Sequence, residues 1–447
     1  MLSAFQNAFK IPDLRKRIVF TLLLLIVLRL GAHITIPGVS GSAMKDLFDT
    51  LTQKEGKGGV LQLYGLFAGR AFSQMTIFAL GIQPYISASI ILQLLIVVIP
   101  YLERLQKEGP TGQKKITQYT RYGTVILAAV QGVGISVALQ RPRYLGVADI
   151  RVVHEGISPF AFMFMAVITL MAGTTFVMWL GEQISERGIG NGISLIIFAN
   201  IVARVPSGTI NMFRSLFSTA EDRLDLARFI IFLGVMIAII MGVILVTLGT
   251  RKIPVQYARR VVGRKVYGGQ MTHLPLRVNQ AGVIPIIFAM TVISFPTTLG
   301  KMVPWPIVQS VMEYFVRWPM YHILYAVLII FFTYFYTAVT TNPVDLADNM
   351  KKYGGFIPGI RPGKSTAEYI DRTLTRITLV GALFLAAIAL LPELLYHHLE
   401  VPIRFGGTPL LIVVGVGLDT MQQIESHLIM RHYEGFLKKG RLRSRRR

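Results

Sequence analysis

The chain has 447 residues, 53% of them hydrophobic and 15% charged, with a mean hydropathy of +0.54. That balance belongs to a polytopic membrane protein and not to a soluble domain. Cysteine is absent, which excludes thiol catalysis, disulfides and cysteine-built metal sites, while the formal net charge of +23 points to anionic lipid or nucleic acid near the surface.

Residues 1–11 are weakly amphipathic and lead into Arg15-Lys16-Arg17. No small-residue cleavage site follows the next apolar run, so this start does not read as a cleaved signal. Residues 18–36 form the first predicted span, close to the ~20 residues a bilayer core needs. Arg29 lies inside it and must snorkel or face protein. Pro37-Gly38 ends it. Residues 59–69 then make an apolar run too short to cross, of the kind that is re-entrant, interfacial or buried. After a polar joint at Arg70, Ser73 and Gln74, residues 76–99 are long enough to span. They are interrupted early by Gly81-Ile82-Gln83-Pro84, and the break Gly282-Val283-Ile284-Pro285 repeats it in a later apolar run. Paired Gly/Pro-broken spans mark the working centre of an inverted-repeat membrane protein.

Further spans are predicted at residues 122–139, 159–180, 192–205, 229–248, 281–300, 321–340, 377–395 and 408–429. The expected fold is therefore all-α, with ten transmembrane helices in two inverted five-helix halves. The halves are residues 1–205 and 206–430, followed by a basic tail at 431–447. Of the 46 Lys and Arg residues, 31 fall in segments on the side of the termini and 14 on the other, with Arg29 inside a span. By the positive-inside rule both termini are cytoplasmic.

Two loops on that side are longer than a turn requires. Residues 250–279 alternate loosely between apolar and polar about Gly263, the pattern of a two-stranded finger with Arg264 and Lys265 at its tip. Residues 341–376 contain Gly359-Ile360-Arg361-Pro362-Gly363, a turn that holds one arginine aloft. Loop cations that only anchor the cytoplasmic side account for most of the charge. A docking surface is the better reading of these two loops, because topology needs charge near the membrane but no long finger.

Several segments together resemble the SecY family, the core subunit of the general protein-conducting channel. Phe78-Ala79-Leu80-Gly81-Ile82-Gln83-Pro84-Tyr85-Ile86-Ser87-Ala88-Ser89-Ile90 is similar to its second span. Gly181-Glu182-Gln183-Ile184-Ser185-Glu186-Arg187-Gly188-Ile189-Gly190-Asn191-Gly192 resembles its junction between spans four and five. His273-Leu274-Pro275-Leu276-Arg277-Val278-Asn279, the Gly359 turn and Phe405-Gly406-Gly407-Thr408 match too. The likeness runs nearly end to end and is weakest at residues 140–158 and 301–320.

The resemblance implies a re-entrant plug helix at about residues 59–73, with Val60, Leu61, Leu63, Tyr64, Leu66 and Phe67 as its apolar side chains. Read from the residues alone, an interfacial helix fits this piece as well. The resemblance also implies a pore ring of Ile82, Ile86, Ile193, Ile197, Ile287 and Ile412, although isoleucine in a membrane helix is usually lipid-facing or core. An apolar ring of that kind gates ions by dewetting. It implies a lateral gate near Ser87, Gln93, Gln131 and Asn279, which as ordinary interhelical glue would read the same. No cofactor is implied. The implied partners are SecE-type and SecG-type small membrane subunits, the SecA motor ATPase, the ribosome through its RNA, secretory preproteins with signal sequences, and anionic lipids. The implied location is the bacterial cytoplasmic (inner) membrane.

Two other readings compete. An inverted-repeat secondary transporter for a small solute would place carboxylates or histidine near the midplane, yet residues 76–99 and 281–300 hold no acid, base or histidine. Asp419 and Glu425 are the only carboxylates well inside an apolar run. A membrane enzyme would need a nucleophile, metal or acid–base cluster, and no HExxH spacing occurs.

Overall fold

The computed structural model describes residues 9, 11–55, 69–140, 152–154, 156–206, 210, 223–257, 260–262, 265–267, 271–302, 319–399 and 407–439. Helices α1 (Pro12–Gly31), α2 (Gly41–Glu55), α3 (Arg70–Ser73), α4 (Gln83–Val98), α5 (Pro100–Lys107), α6 (Pro110–Gln140), α7 (Pro159–Arg187) and α8 (Gly192–Val202) come first. Then follow α9 (Arg223–Leu248), strands β1 (Thr250–Tyr257), β2 (Arg260–Val262), β3 (Lys265–Tyr267) and β4 (Met271–Arg277), and α10 (Ile284–Met302). Helices α11 (Met320–Thr340) and α12 (Pro343–Lys352), strand β5 (Gly355–Phe356), and helices α13 (Lys364–Leu399) and α14 (Gly407–Lys439) complete the order.

Each of the ten predicted apolar runs carries an α-helix. Four described segments are long and apolar enough to cross a membrane unaided: Pro110–Gln140, Pro159–Arg187, Met320–Lys352 and Lys364–Leu391. A fifth results if α4 and α5, bent by 99° about Ile99, count as one. Helix α8 has 11 residues, about 16 Å at 1.5 Å per residue, so it needs neighbours to complete a crossing. Helix α1 is diluted by Arg15, Lys16, Arg17 and Arg29, and α14 by Asp419, Gln422 and Gln423.

The first two runs differ from their expected form. Helix α1 stops at Gly31, and residues 34–36 are extended. Ile36 N–H donates to the Met75 carbonyl at 3.0 Å, and Ile77 N–H to the Ile34 carbonyl at 2.9 Å. The second run is therefore helical only from Gln83. The Met75 carbonyl and the Ile77 N–H pair with the end of the first run, while the Met75 and Thr76 N–H groups donate to the Phe72 and Ala71 carbonyls, so the non-helical chain keeps its backbone groups bonded, as membrane depth requires.

The chain forms two compact units: Met1–Asn211 with Thr291–Arg317 and Val416–Arg447, and Met212–Met290 with Trp318–Gly415. The first has its core at Ile36, Leu47, Met75, Leu80, Phe162 and Leu170. Within it α5 turns Leu102 and Leu105 onto Ile96, and its exposed Lys107 lies 2.6 Å from Glu103. That contact holds the Glu103 carboxyl below its ordinary range.

The second unit contains a small sheet of order β4-β1-β5. β1 pairs antiparallel with β4 from Thr250↔Arg277 to Gln256↔Met271, and β2 with β3 through Val261↔Val266. The expected two-stranded finger is present. Its third strand was not legible: Gln256↔Phe356 and Tyr257↔Gly355 join it to the second long loop. Ile253, Leu276, Ile357, Ile370 and Leu374 fill one core, with Leu346 and Met350 of α12 packed on it.

Candidate functional site

Both broken spans start their helices in one way. Gly81 has φ 56° and Gly282 φ 62°, the left-handed region that glycine enters without strain. Two residues later α4 begins at Gln83 and α10 at Ile284, each with proline in its first turn, where no donor is lost. Asn279 Nδ2 donates to the Gly282 carbonyl at 3.2 Å and holds the second break. Ile82 (0% exposed) caps α4, Ile86 lies one turn on, and Ile287 occupies the first turn of α10; all three are buried.

The α7–α8 junction is pinned from other helices. Thr21 on α1 is buried, and its Oγ1 accepts the Ile189 N–H at 3.1 Å while donating to the Arg17 carbonyl at 2.9 Å. Gln423 Oε1 on α14 accepts the Gly190 N–H at 2.9 Å, and Ser185 Oγ accepts the Gly192 N–H at 2.9 Å. Asn191 caps α8, its Oδ1 accepting from Ile193 and Ser194 N–H. The junction fixes where α8 starts, and so where it carries half-buried Ile193 and buried Ile197. At the far end Arg29 faces protein, not lipid: Nη2 donates to the Ala199 carbonyl at 3.1 Å. Ile412 is buried in α14.

Of the polar side chains expected at a gate, Ser87, Gln93 and Gln131 make no hydrogen bond with one another among the described residues. Gln93 Nε2 donates to Ser89 Oγ on its own helix at 3.3 Å. Among the described residues, Ser87 Oγ, Asn279 Oδ1 and both polar atoms of buried Gln131 have no hydrogen-bond partner. A polar link that sequence reasoning missed lies at Gln83, whose Nε2 donates to Ser294 Oγ on α10 at 3.4 Å. Its only sequence signal was a polar residue inside the Gly–Pro break.

In the second unit Arg361 is exposed, between Gly359 (φ 81°) and Gly363 (φ 108°). Thr366 Oγ1 donates to the Arg361 carbonyl at 2.9 Å, so the turn is held while the guanidinium stays free to reach outward. Because β5 pairs with β1, the base of the finger and the arginine turn belong to one platform. Lys265 is on β3. Arg264 lies outside the described residues, as do Val60, Leu61, Leu63, Tyr64, Leu66 and Phe67.

The family model for SecY matches residues 76–421. The chain belongs to the SecY family. This SecY-family chain is 44% identical to a protein translocase subunit SecY of Thermotoga maritima over 446 residues, which is 100% of both chains. To the subunit of that name in Escherichia coli strain K12 it is 46% identical over 448 residues, 98% of this chain and 97% of that one. Among solved structures, one described as a protein conducting channel is similar with a TM-score of 0.64 at 18% identity, covering 98% and 99% of the two chains. Sec61 in a canine ribosome-channel complex is similar with a TM-score of 0.60 at 17% identity, over the same shares. At such identities the structural likeness speaks for the SecY fold alone, and the full-length relatives establish the family.

Proposed function

We propose that the chain is the channel subunit of a bacterial protein translocase. It passes unfolded secretory polypeptides across the cytoplasmic membrane and releases membrane-protein segments sideways into it. The observation that carries this reading is the matched pair of breaks at Gly81 and Gly282. They open two helices whose first turns hold buried isoleucines and whose spans hold no acid, base or histidine. A coupled transporter would need such groups there; a conduit for many sequences needs an apolar lining that makes no directional bonds.

In this account Ile82, Ile86, Ile193, Ile197, Ile287 and Ile412 form an aliphatic constriction that excludes ions by dewetting when idle. The segment at 59–73 is its plug, and Ser87, Gln93, Gln131 and Asn279 line the lateral exit. Both termini are cytoplasmic. The chain is a conduit and no enzyme. Without a GxxxxGK[ST] motif, it takes energy from a SecA-type motor or a translating ribosome. Arg264, Lys265 and Arg361 dock those partners, supported by the shared sheet beneath finger and turn. SecE-type and SecG-type subunits complete the assembly, and anionic lipids face its cationic side.

The test is resting conductance in planar bilayers. Ile→Asn at Ile82, Ile86, Ile287 and Ile412 together wets the constriction and raises ion leak, while Asn at Ile91 and Ile293 leaks less. Equal leak from both sets refutes the ring.

A further inference from the structure

Helix α1 carries Arg29 inside its apolar run, where a charge is costly and is kept only with a partner. Leu22, Leu23, Ile26 and Leu30 on this helix are more than half exposed, whereas Arg29 is half-buried. Its Nη2 donates to the Ala199 carbonyl at 3.1 Å. Ala199 stands in the last turn of α8, and its carbonyl already accepts the Ala203 N–H at 3.1 Å. A carbonyl oxygen has two lone pairs, so the guanidinium takes the second. Arg29 also lies in the last turn of α1 itself. The bonds Thr21–Ile189 and Arg29–Ala199 rise together along both segments, so α1 and α8 run parallel within one compact unit. One cation is thus shared by the C-terminal, partly negative ends of two parallel helices. Thr21 and Arg29 are a little over two helical turns apart, about 12 Å. Between them they grip α8 just before its start and in its last turn, and Ile193 and Ile197 lie between the grips.

We propose that Arg29 is a positioning residue of the channel: together with Thr21 it makes α1 a splint that keeps the α8 isoleucines in the constriction while no polypeptide is present. The proposal rests on the polypeptide-channel reading and on α8 lending Ile193 and Ile197 to the ring. A helix of 11 residues is too short for the bilayer alone to fix its depth, so the place of its isoleucines depends on what holds its ends. Releasing the outer end lets the last turn fray and Ile197, two positions before Ala199, shift, and the constriction wets. Arg29→Met keeps an unbranched apolar stem and removes the charge and the donors. Arg29→Lys keeps the charge and a donor.

The test measures resting conductance of the assembled complex in planar bilayers in potassium chloride, with no preprotein or motor present. Amide hydrogen exchange of the peptide covering residues 192–203 is read on the same preparation, and the fourfold Ile→Asn variant is the leak standard. Arg29→Met raises both conductance and exchange roughly tenfold, the effect of losing one hydrogen bond from a charged donor, and Arg29→Lys restores most of both. Thr21→Val frees the other end while keeping its shape, and it too raises the leak, which decides the matter where Arg29→Met fails to assemble. Faster exchange with parent-like conductance marks a merely structural contact and overturns the proposal, as does parent-like exchange. A parent complex that exports no preprotein with its motor ATPase refutes the channel reading and the splint with it. A leaking fourfold Ile→Asn variant beside tight Arg29→Met and Thr21→Val channels refutes the splint alone.

Discussion

Thr21→Val offers a sharp test of how the α7–α8 junction is held. The change keeps the side chain's shape and removes its oxygen. In the native chain that oxygen accepts the buried Ile189 N–H at 3.1 Å. The approach is close: a Cβ on Gly188 would stand 2.4 Å from Thr21 Oγ1, so water has little room to take the oxygen's place. A buried donor without its acceptor costs about 1–3 kcal/mol, which means roughly five- to hundredfold more frequent local opening. Gln423→Ala supplies the contrast. Its bond to Gly190 is shorter, at 2.9 Å, but exposed, so water replaces it and the loss stays within about 0.5 kcal/mol. Burial and not bond length decides the order. The assay is amide hydrogen exchange of the peptide covering residues 185–195 in the assembled complex, with Thr21→Ser as the restoring control. Equal exchange in Thr21→Val and the parent, or a larger effect from Gln423→Ala, would refute this reasoning.

Gly173→Ala places a Cβ 1.9 Å from the Ile77 carbonyl, a backbone atom that cannot swing aside. A loss of about 1–3 kcal/mol or more is expected, read as a lower melting temperature and yield of complex, whereas Gly132→Ala, with its nearest atom at 3.5 Å, is tolerated. Arg361→Glu blocks motor-driven export while the complex still assembles, because the side chain is exposed and its turn is held by Thr366; normal export in vitro would remove Arg361 from the mechanism. A cysteine introduced by Leu66→Cys is shielded from external thiol reagents at rest and labelled during export. With no native cysteine the labelling has no background, and equal labelling in both states favours an interfacial helix over a plug.

Much of this was legible because membrane helices declare themselves by length and hydropathy. The ten runs, the finger and the paired breaks all follow from local sequence. The exceptions are long-range. Residues 75–77 are apolar enough for a helix, yet they leave helical geometry, with Met75 at φ 47°, and bond across to Ile34 and Ile36. β5 is two residues long, below any periodic signal, yet it ties the arginine turn to the finger. Thr21 and Gln423 read as ordinary polar residues, since their role depends on a loop more than 160 positions away. At the candidate site the isoleucines look like their neighbours in sequence, so the family resemblance selected them. Gln83 was visible, but its partner Ser294 lies 211 positions further on.

The central claim is that this chain conducts polypeptide. The most direct measurement is protease protection of a radiolabelled preprotein in proteoliposomes holding the chain, its small membrane subunits and the motor ATPase. The account predicts full-length, signal-dependent protection when ATP is present, abolished by Arg361→Glu and retained in the fourfold Ile→Asn variant. Absence of protection from assembled complex, together with uptake of a small solute driven by a proton or sodium gradient, would contradict it.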